Sequence, residues 1–278
     1  MSKDIGEELE NRMESMTPRS TFDVAIVGDP DDIEVKALRY LFTKPGVKVF
    51  QTGPEHDVED IIELKPAITF VCTKVQVSDD GLIIATELED NVNRLLARQN
   101  GGVITRTSLT PDLVDRLATK SQKYVHCPNP YYDEDTLMAH TNIPVLLIGG
   151  NSESAPAVRE IFLRFSNIAV REFAMMSAVE AAFVDMSTRA YLAIKSQFFN
   201  NLYNSVQGFG SDYNVISNYV CADGRINSGM HLIPNIDLTY GVPGNIADYP
   251  KMMARWDKKF TLFSNCDIIK ATVNKEEE

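Results

Sequence analysis

Short apolar runs alternate with helix-length stretches along the first half of the chain. The apolar runs lie at 22–27, 47–50, 68–72, 102–105, 124–127 and 145–148. Helical periodicity, with apolar positions three or four residues apart, fills the intervals at 33–42, 57–65 and 87–98, and a further helix opens at 109–112. Buried strands that alternate with helices predict βαβ units and a parallel, doubly wound sheet over residues 22–173.

A long helix is predicted from Ser177 to about Asn204. Ser177 and Glu180 have the spacing of a capping box, and neither Gly nor Pro occurs between Pro156 and Gly208. Apolar residues cover two sides of this helix, and at 1.5 Å per residue it is roughly 40 Å long. Such a helix joins two domains or forms the core of a dimer; a buried helix within one domain is the alternative that remains open.

The remainder of the chain predicts a small, all-helical second part. A short helix capped by Ser211 or Asp212 ends near Asp223, residues 224–247 are rich in Gly and Pro, and a final helix covers 248–260. The domain interpretation is therefore a polar N-terminal arm at 1–20, an α/β domain at 21–173 and a helical domain at 174–278.

Composition excludes several classes of protein. Of the 278 residues 44% are apolar, yet no apolar run reaches the ~20 residues of a membrane span. The charged N-terminus has no apolar region typical of a secretory signal. The net charge of −12, without a basic cluster, argues against nucleic acid as a partner. Four scattered cysteines form no CxxC pair, which favours a reducing cytoplasm and predicts no metal site.

Several colinear motifs resemble the UDP-glucose/GDP-mannose (nucleotide-sugar) dehydrogenase family. They are VAIVG (24–28), CTKVQVSDDG (72–81), GGVITRTSLTPDLVDRL (101–117), the long helix, DGRINSG (223–229) and YPK (249–251). The resemblance implies a Rossmann-like domain and then a helical domain whose long helix, 177–204, builds a homodimer. A C-terminal sugar-nucleotide domain normally follows in the family, and this chain ends before it. Shortened relatives occur in bacteriophage genomes, so a bacteriophage origin is one expectation.

The family oxidises a sugar alcohol twice and transfers two hydrides to NAD. The resemblance places Gly28, Thr73 and Ser108 at cofactor-binding positions. The G-x-G-x-x-G fingerprint lets a pyrophosphate approach the amides of a helix N-terminus. Here Gly28 keeps the first glycine, whereas Pro30 and Ile33 replace the second and third. Asp29, Asp31 and Asp32 add negative charge, and residues 51–52 lack the acid that binds the ribose. We therefore expect no cofactor.

The catalytic thiol of the family pattern G-G-x-C-F-x-K-D is also replaced. An alignment on YPK places Asp248 at the cysteine, keeps Lys251 and puts Met252 at the acid, whereas an alignment on GVPG places Ile246 at the cysteine. Cys127 follows His126 at the end of a predicted strand. A Cys–His pair there is disfavoured, because neighbouring residues of a strand point to opposite faces.

The remaining catalytic positions are changed as well. The lysine and asparagine of the long helix correspond to Asp185 and Arg189, for which an i,i+4 ion pair is a sufficient structural explanation. The family glutamate corresponds to Asn129, or to Tyr131 if the alignment shifts. Ser108 stands for a threonine hydroxyl, and Arg225 occupies the position that contacts substrate in the family.

These changes favour a pseudoenzyme that keeps the two-domain scaffold for binding or structural work. The alternative is an NAD-dependent nucleotide-sugar (UDP-glucose-type) 6-dehydrogenase, which would need NAD. A third hypothesis is a sensor that binds a nucleotide sugar without reacting. The expected partners are a second copy of the chain and a nucleotide-sugar ligand or a protein. The expected location is the cytoplasm, or the host cytoplasm or virion for a viral protein.

Overall fold

The structure is a computed structural model that describes residues 21–53, 57–78, 82–129, 142–226, 228–229 and 232. The predicted N-terminal arm and the predicted helix at 248–260 lie outside these residues. Contacts divide the chain into two compact units. The first consists of Met1–Gln76 and Ile83–Asp185, and the second of Val77–Leu82 and Met186–Glu278.

The first unit contains the sheet and most of the helices. Its sheet strands are β1 Phe22–Val27, β2 Val47–Gln51, β3 Ile68–Val71, β6 Gly102–Thr105, β7 Tyr124–His126, β8 Asn142–Gly149 and β9 Ala169–Met176. Its helices are α1 Ile33–Leu41, α2 Val58–Leu64, α3 Thr86–Arg98, α4 Pro111–Ala118 and α5 Ser154–Phe165. A short two-stranded ribbon, β4 Gln76–Val77 and β5 Ile83–Ile84, precedes α3.

The seven-stranded sheet has the order β2-β1-β3-β6-β7-β8-β9. The first five of these strands are parallel. In the centre of β1, Val24 pairs with Val49 of β2 on one side and with Ile68 of β3 on the other. After β1 the chain first adds β2 on one side of it. It then crosses to the other side of β1 and adds β3, β6 and β7 in turn. In such a sheet the carboxyl ends of β1 and β3 enclose the topological switch point, where doubly wound proteins bind their ligands. The predicted α/β, Rossmann-like fold is confirmed.

Two strands correct the expectation of a parallel sheet over residues 22–173. β8 runs antiparallel to β7, with His126 opposite Gly149, and β9 runs parallel to β8. The two form a separate βαβ unit through α5. β9 was not predicted because its sequence, AVREFAMM, places Arg171 and Glu172 within the strand and shows no continuous apolar run. Among the described residues β9 pairs with β8 alone, so it is an edge strand.

Two apolar layers explain why the central strands are buried on both faces. Every residue of β3 and β6 is buried. One layer packs α1 and α5 on the sheet, with Leu38 and Phe162 at its centre. The other layer packs α2, α3, α4 and the first turn of the long helix on the opposite face, with Leu88 and Ala178 among its members.

The long helix, α6, runs from Ala178 to Gly208 and confirms the predicted helix. Its capping box is present: the Ser177 amide donates to Glu180 Oε2 (2.8 Å) and the Glu180 amide donates to Ser177 Oγ (3.2 Å). Residues 178–185 belong to the first unit. There Gly149 allows the helix to approach β8, since a Cβ on it would lie 2.6 Å from the Cβ of Ala181.

The second unit, where the structure describes it, is helical. It holds residues 186–208 of α6 and a short helix, α7, at Tyr213–Cys221. Asp212 caps α7 by accepting a hydrogen bond from the Asn214 amide, which decides between the two predicted caps. A small core forms around Phe199, Val206 and Tyr213. No helix in the described ranges is long and apolar enough to cross a membrane.

Candidate functional site

The candidate site is the crevice at the carboxyl ends of β1, β3, β6 and β7 in the first unit. The loops that leave these strands begin at Gly28, Cys72, Arg106 and Cys127. They meet the N-terminal turn of α1 at the switch point of the sheet. In nucleotide-binding relatives of this topology the phosphates lie here, against glycine-loop amides and a helix N-terminus.

The backbone amide and carbonyl of Gly28 are both hydrogen-bonded within the protein. Its amide donates to Thr52 Oγ1 (3.0 Å), and the same hydroxyl donates to the Gly28 carbonyl (3.1 Å). A Cβ at this position would lie 2.9 Å from Val35 Cγ2 and 3.1 Å from Cys72 Cβ. The close packing of α1 on β3 therefore explains the glycine without a ligand.

The N-terminus of α1 is capped by acidic side chains. Asp32 accepts from the Glu34 amide (3.0 Å), and Asp29 accepts from the Asp31 amide (2.9 Å). Between them Pro30 has no amide hydrogen to offer. The Lys74 ammonium lies 3.0 Å from Asp32 Oδ2. Aspartate carboxylates thus lie where a pyrophosphate would bind, and they accept the amide hydrogen bonds that a pyrophosphate would need.

A buried ion pair crosses the crevice. Arg106 Nε donates to Glu34 Oε1 (2.7 Å), and the side chains are 3% and 12% exposed. Asn129 Nδ2 donates to the other carboxylate oxygen, Oε2, at very short range. Arg106 Nη1 also donates to the sulfur of Cys127 (3.2 Å). One carboxylate from α1 therefore binds residues that follow both β6 and β7.

Electrostatics keeps the Arg106 guanidinium charged. Burial by itself lowers the pKa of Arg106, but the nearby Glu34 carboxylate outweighs this effect and the pKa is raised. The sequence analysis missed both Glu34 and Arg106. The signal that could have found them is an arginine placed directly after the fully buried strand β6, because a buried guanidinium requires an anionic partner.

Thr73 and Ser108, the other two predicted cofactor contacts, are also buried and hydrogen-bonded within the protein. Thr73 Oγ1 accepts from Asn91 Nδ2 (3.3 Å), and its carbonyl accepts from Thr107 Oγ1 (2.8 Å). Ser108 Oγ donates to Asp185 Oδ2 (2.5 Å), and both residues are almost fully buried. The structure therefore brings Ser108 and Asp185 together, as a neutral donor bound to a carboxylate.

The other predicted site residues belong to the second unit or lie outside the described residues. Arg189 is buried and belongs to the second unit, as does Arg225, whose Nε donates to Asp223 Oδ1 (2.9 Å). The Asp185–Arg189 ion pair stays a prediction. Tyr131, Ile246, Asp248, Lys251 and Met252 lie outside the described residues.

Cys127 does not form a pair with His126. Cys127 contacts Arg106, whereas His126 Nδ1 lies 2.9 Å from Thr105 Oγ1. Burial raises the pKa of the Cys127 thiol, and Arg106 offsets only part of this effect. The thiol therefore stays protonated at neutral pH, whereas a nucleophilic cysteine needs the thiolate.

Taken together, these residues do not fit a dinucleotide. The amides at its phosphate position are bound to Thr52 and to aspartates, and the nearest buried cation, Arg106, is bound to Glu34. No group of three or more His, Cys, Asp or Glu side chains within the described part of the chain could hold a metal ion.

Solved structures of nucleotide-sugar dehydrogenases share the fold of this chain. A UDP-glucose dehydrogenase from the archaeon Pyrobaculum islandicum matches with a TM-score of 0.72 at 16% identity, over 94% of this chain and 70% of its own. A UDP-D-ManNAc dehydrogenase from Pyrococcus horikoshii matches with a TM-score of 0.62 at 14% identity, over 90% of this chain and 67% of its own. An NDP-N-acetyl-D-galactosaminuronic acid dehydrogenase from Methanosarcina mazei Go1 matches with a TM-score of 0.64 at 12% identity, over 93% of this chain and 64% of its own. No family model and no curated protein matches the sequence. The chain thus has the fold of the nucleotide-sugar dehydrogenases.

Proposed function

We propose that this protein is a non-catalytic relative of the nucleotide-sugar dehydrogenases that keeps their scaffold for a binding or structural role. The observation that carries this proposal is the buried contact of Glu34 with Arg106 and Asn129. It occupies the crevice in which a Rossmann-like enzyme holds its dinucleotide. An enzyme that must admit NAD at each turnover would have to break this contact each time.

The chemistry of the family supports the same proposal. Dehydrogenation of a sugar alcohol through a trapped aldehyde needs a thiolate and a positive or hydrogen-bonding group for the developing oxyanion. Here the buried carboxylate of Asp185 accepts from Ser108, in the part of the scaffold where the resemblance implies a lysine. A carboxylate repels an oxyanion, so the electrostatics of this position oppose the reaction.

Titration with NAD and with UDP- and GDP-sugars tests the proposal, with melting temperature and NADH absorbance as readouts. We expect no saturable shift with NAD and no NADH with any sugar nucleotide. A saturable NAD shift together with NADH formation would establish the alternative, a UDP-glucose-type 6-dehydrogenase. A shift with a nucleotide sugar alone would establish the sensor hypothesis.

The proposed partner is a second copy of the chain, bound through α6. Tyr191 and Phe198 of α6 are exposed at 59% and 56% and lie seven residues apart. Residues at this spacing share one face of a helix, and an exposed apolar stripe is typical of a helix–helix interface. Light scattering should therefore give twice the chain mass. A structural role in the cytoplasm or in a virion is consistent with this assembly, and a bacteriophage origin stays a prediction.

A further inference from the structure

The geometry of the crevice points to an autoinhibitory contact: we propose that Glu34 is an internal anionic ligand of Arg106. The carboxylate occupies the place that the phosphate or carboxylate group of a ligand would take. Arg106 and Asn129 are then an oxyanion-binding pair that the protein itself has saturated. This inference deepens the proposed function, since it concerns the same crevice.

Three observations separate this contact from an ordinary surface ion pair. Arg106 is buried, Glu34 is partly buried, and the two lie 72 positions apart in the chain, so the contact joins α1 to the end of β6. Both carboxylate oxygens are bound, one by Arg106 Nε and the other by Asn129 Nδ2. An oxyanion held by two donors from neighbouring loops is an arrangement in which proteins recognise carboxylate and phosphate ligands.

The position of Glu34 favours negative charge for a second reason. Glu34 lies in the first turn of α1, where the helix dipole stabilises an anion. The contact thereby combines a helix N-terminus, a guanidinium and an amide, which are the elements of a phosphate site. Here the guanidinium and the amide are directed at a side chain of the same molecule. An external oxyanion can take the place between Arg106 Nε and Asn129 Nδ2 only after Glu34 leaves.

Chemical rescue tests this proposal. Glu34→Ala leaves a buried guanidinium without its anion and opens the space of a carboxylate, and we expect the melting temperature to fall by about 10 °C. Formate should then restore several degrees in this variant, relative to chloride at equal ionic strength. Wild-type protein should gain nothing from formate, because Glu34 already fills the site.

Two controls make the outcome specific. Glu59→Ala removes a carboxylate that pairs with Arg94 and Arg98 at the surface, and its melting temperature should not respond to formate. Glu34→Ala combined with Arg106→Met removes the cation as well, so this variant should lose the formate effect and be more stable than Glu34→Ala alone. An equal response to formate in all variants, or an unchanged melting temperature of Glu34→Ala, would overturn the proposal.

A second variant covers the case in which Glu34→Ala does not fold. Glu34→Gln keeps the shape and removes the charge, and combining it with Arg106→Met should recover most of the lost stability. Simple additivity of the two substitutions would refute the coupling. The NAD titration of the wild-type protein remains a separate test: NAD binding would contradict the proposed function, whereas a lack of rescue would contradict only the internal-ligand proposal.

Discussion

Gly28→Ala distinguishes a packing glycine from a cofactor glycine. The added methyl would lie 2.9 Å from Val35 Cγ2 and 3.1 Å from Cys72 Cβ, well inside van der Waals contact. Val35 is fully buried, and a valine in a helix has one strongly preferred rotamer, so it cannot rotate away. Overpacking of this kind costs about 1–3 kcal/mol, and we expect Gly28→Ala to lose that much stability in the absence of any ligand.

The assay is urea denaturation of the single and double variants. Val35→Ala alone should cost about 2 kcal/mol, because it removes two buried methyl groups. The double variant Gly28→Ala/Val35→Ala should lose about 1 kcal/mol less stability than the sum of the two single losses. The reason is that Val35→Ala relieves the strain caused by the new methyl group, and this methyl group fills part of the space that Val35→Ala leaves. Gly208→Ala is the matched control: Gly208 lies at the end of α6, where an added Cβ would meet no atom within 4 Å outside the backbone of the helix, so the stability of this variant should not fall.

Two results would refute this explanation of Gly28. One is full stability of Gly28→Ala, which would mean that the overlap with Val35 and Cys72 is relieved without strain. The other is strict additivity with Val35→Ala. A stable Gly28→Ala variant that had lost the ability to bind NAD would instead support the enzyme alternative.

Three further predictions concern other parts of the molecule. Ser108→Ala should lower the free energy of unfolding by about 1–3 kcal/mol, because it removes a donor from the buried Asp185 carboxylate; urea denaturation measures this. Burial raises the pKa of Cys127 above that of an exposed thiol, so the stability it contributes is complete below the pKa of the unfolded thiol and is lost as the pH rises above it. Urea denaturation of wild type and Cys127→Ser should therefore diverge by up to about 1.4 kcal/mol per pH unit in alkaline solution, and parallel curves would contradict the assignment. Tyr191→Glu on the exposed face of α6 should convert dimer to monomer in analytical ultracentrifugation, whereas Tyr219→Glu, exposed on α7, should leave the mass unchanged; equal effects would argue against α6 as the interface.

Local patterns predicted the strands that are buried on both faces. The run Ile68–Val71 is buried throughout because helices cover both of its faces, and its mostly apolar residues make it recognisable from the sequence alone. β9 lacks this property: its edge position leaves Arg171 and Glu172 exposed, so its sequence shows no continuous apolar run. The reversal of direction at β8 depends on pairing with β7 and has no local signature.

The candidate site was only partly predictable for the same reason. The loss of the glycine fingerprint at Pro30 and of the acid after β2 is a matter of residue type and can be read directly. The contact of Glu34 with Arg106 joins residues 72 positions apart, and a glutamate in a first helical turn is ordinary by itself. The partnership of Ser108 with Asp185 likewise depends on where α6 begins to pack on the sheet.

The strand order has a consequence for the width of the sheet beside the crevice. A full Rossmann sheet supports a dinucleotide on two mononucleotide halves of three strands each. On one side of the switch point this sheet has β1 and β2 alone, since the described residues between β2 and β3 hold α2 and no further strand. On this side of the switch point the sheet is therefore narrower than a full Rossmann sheet by one strand, or about 4.8 Å.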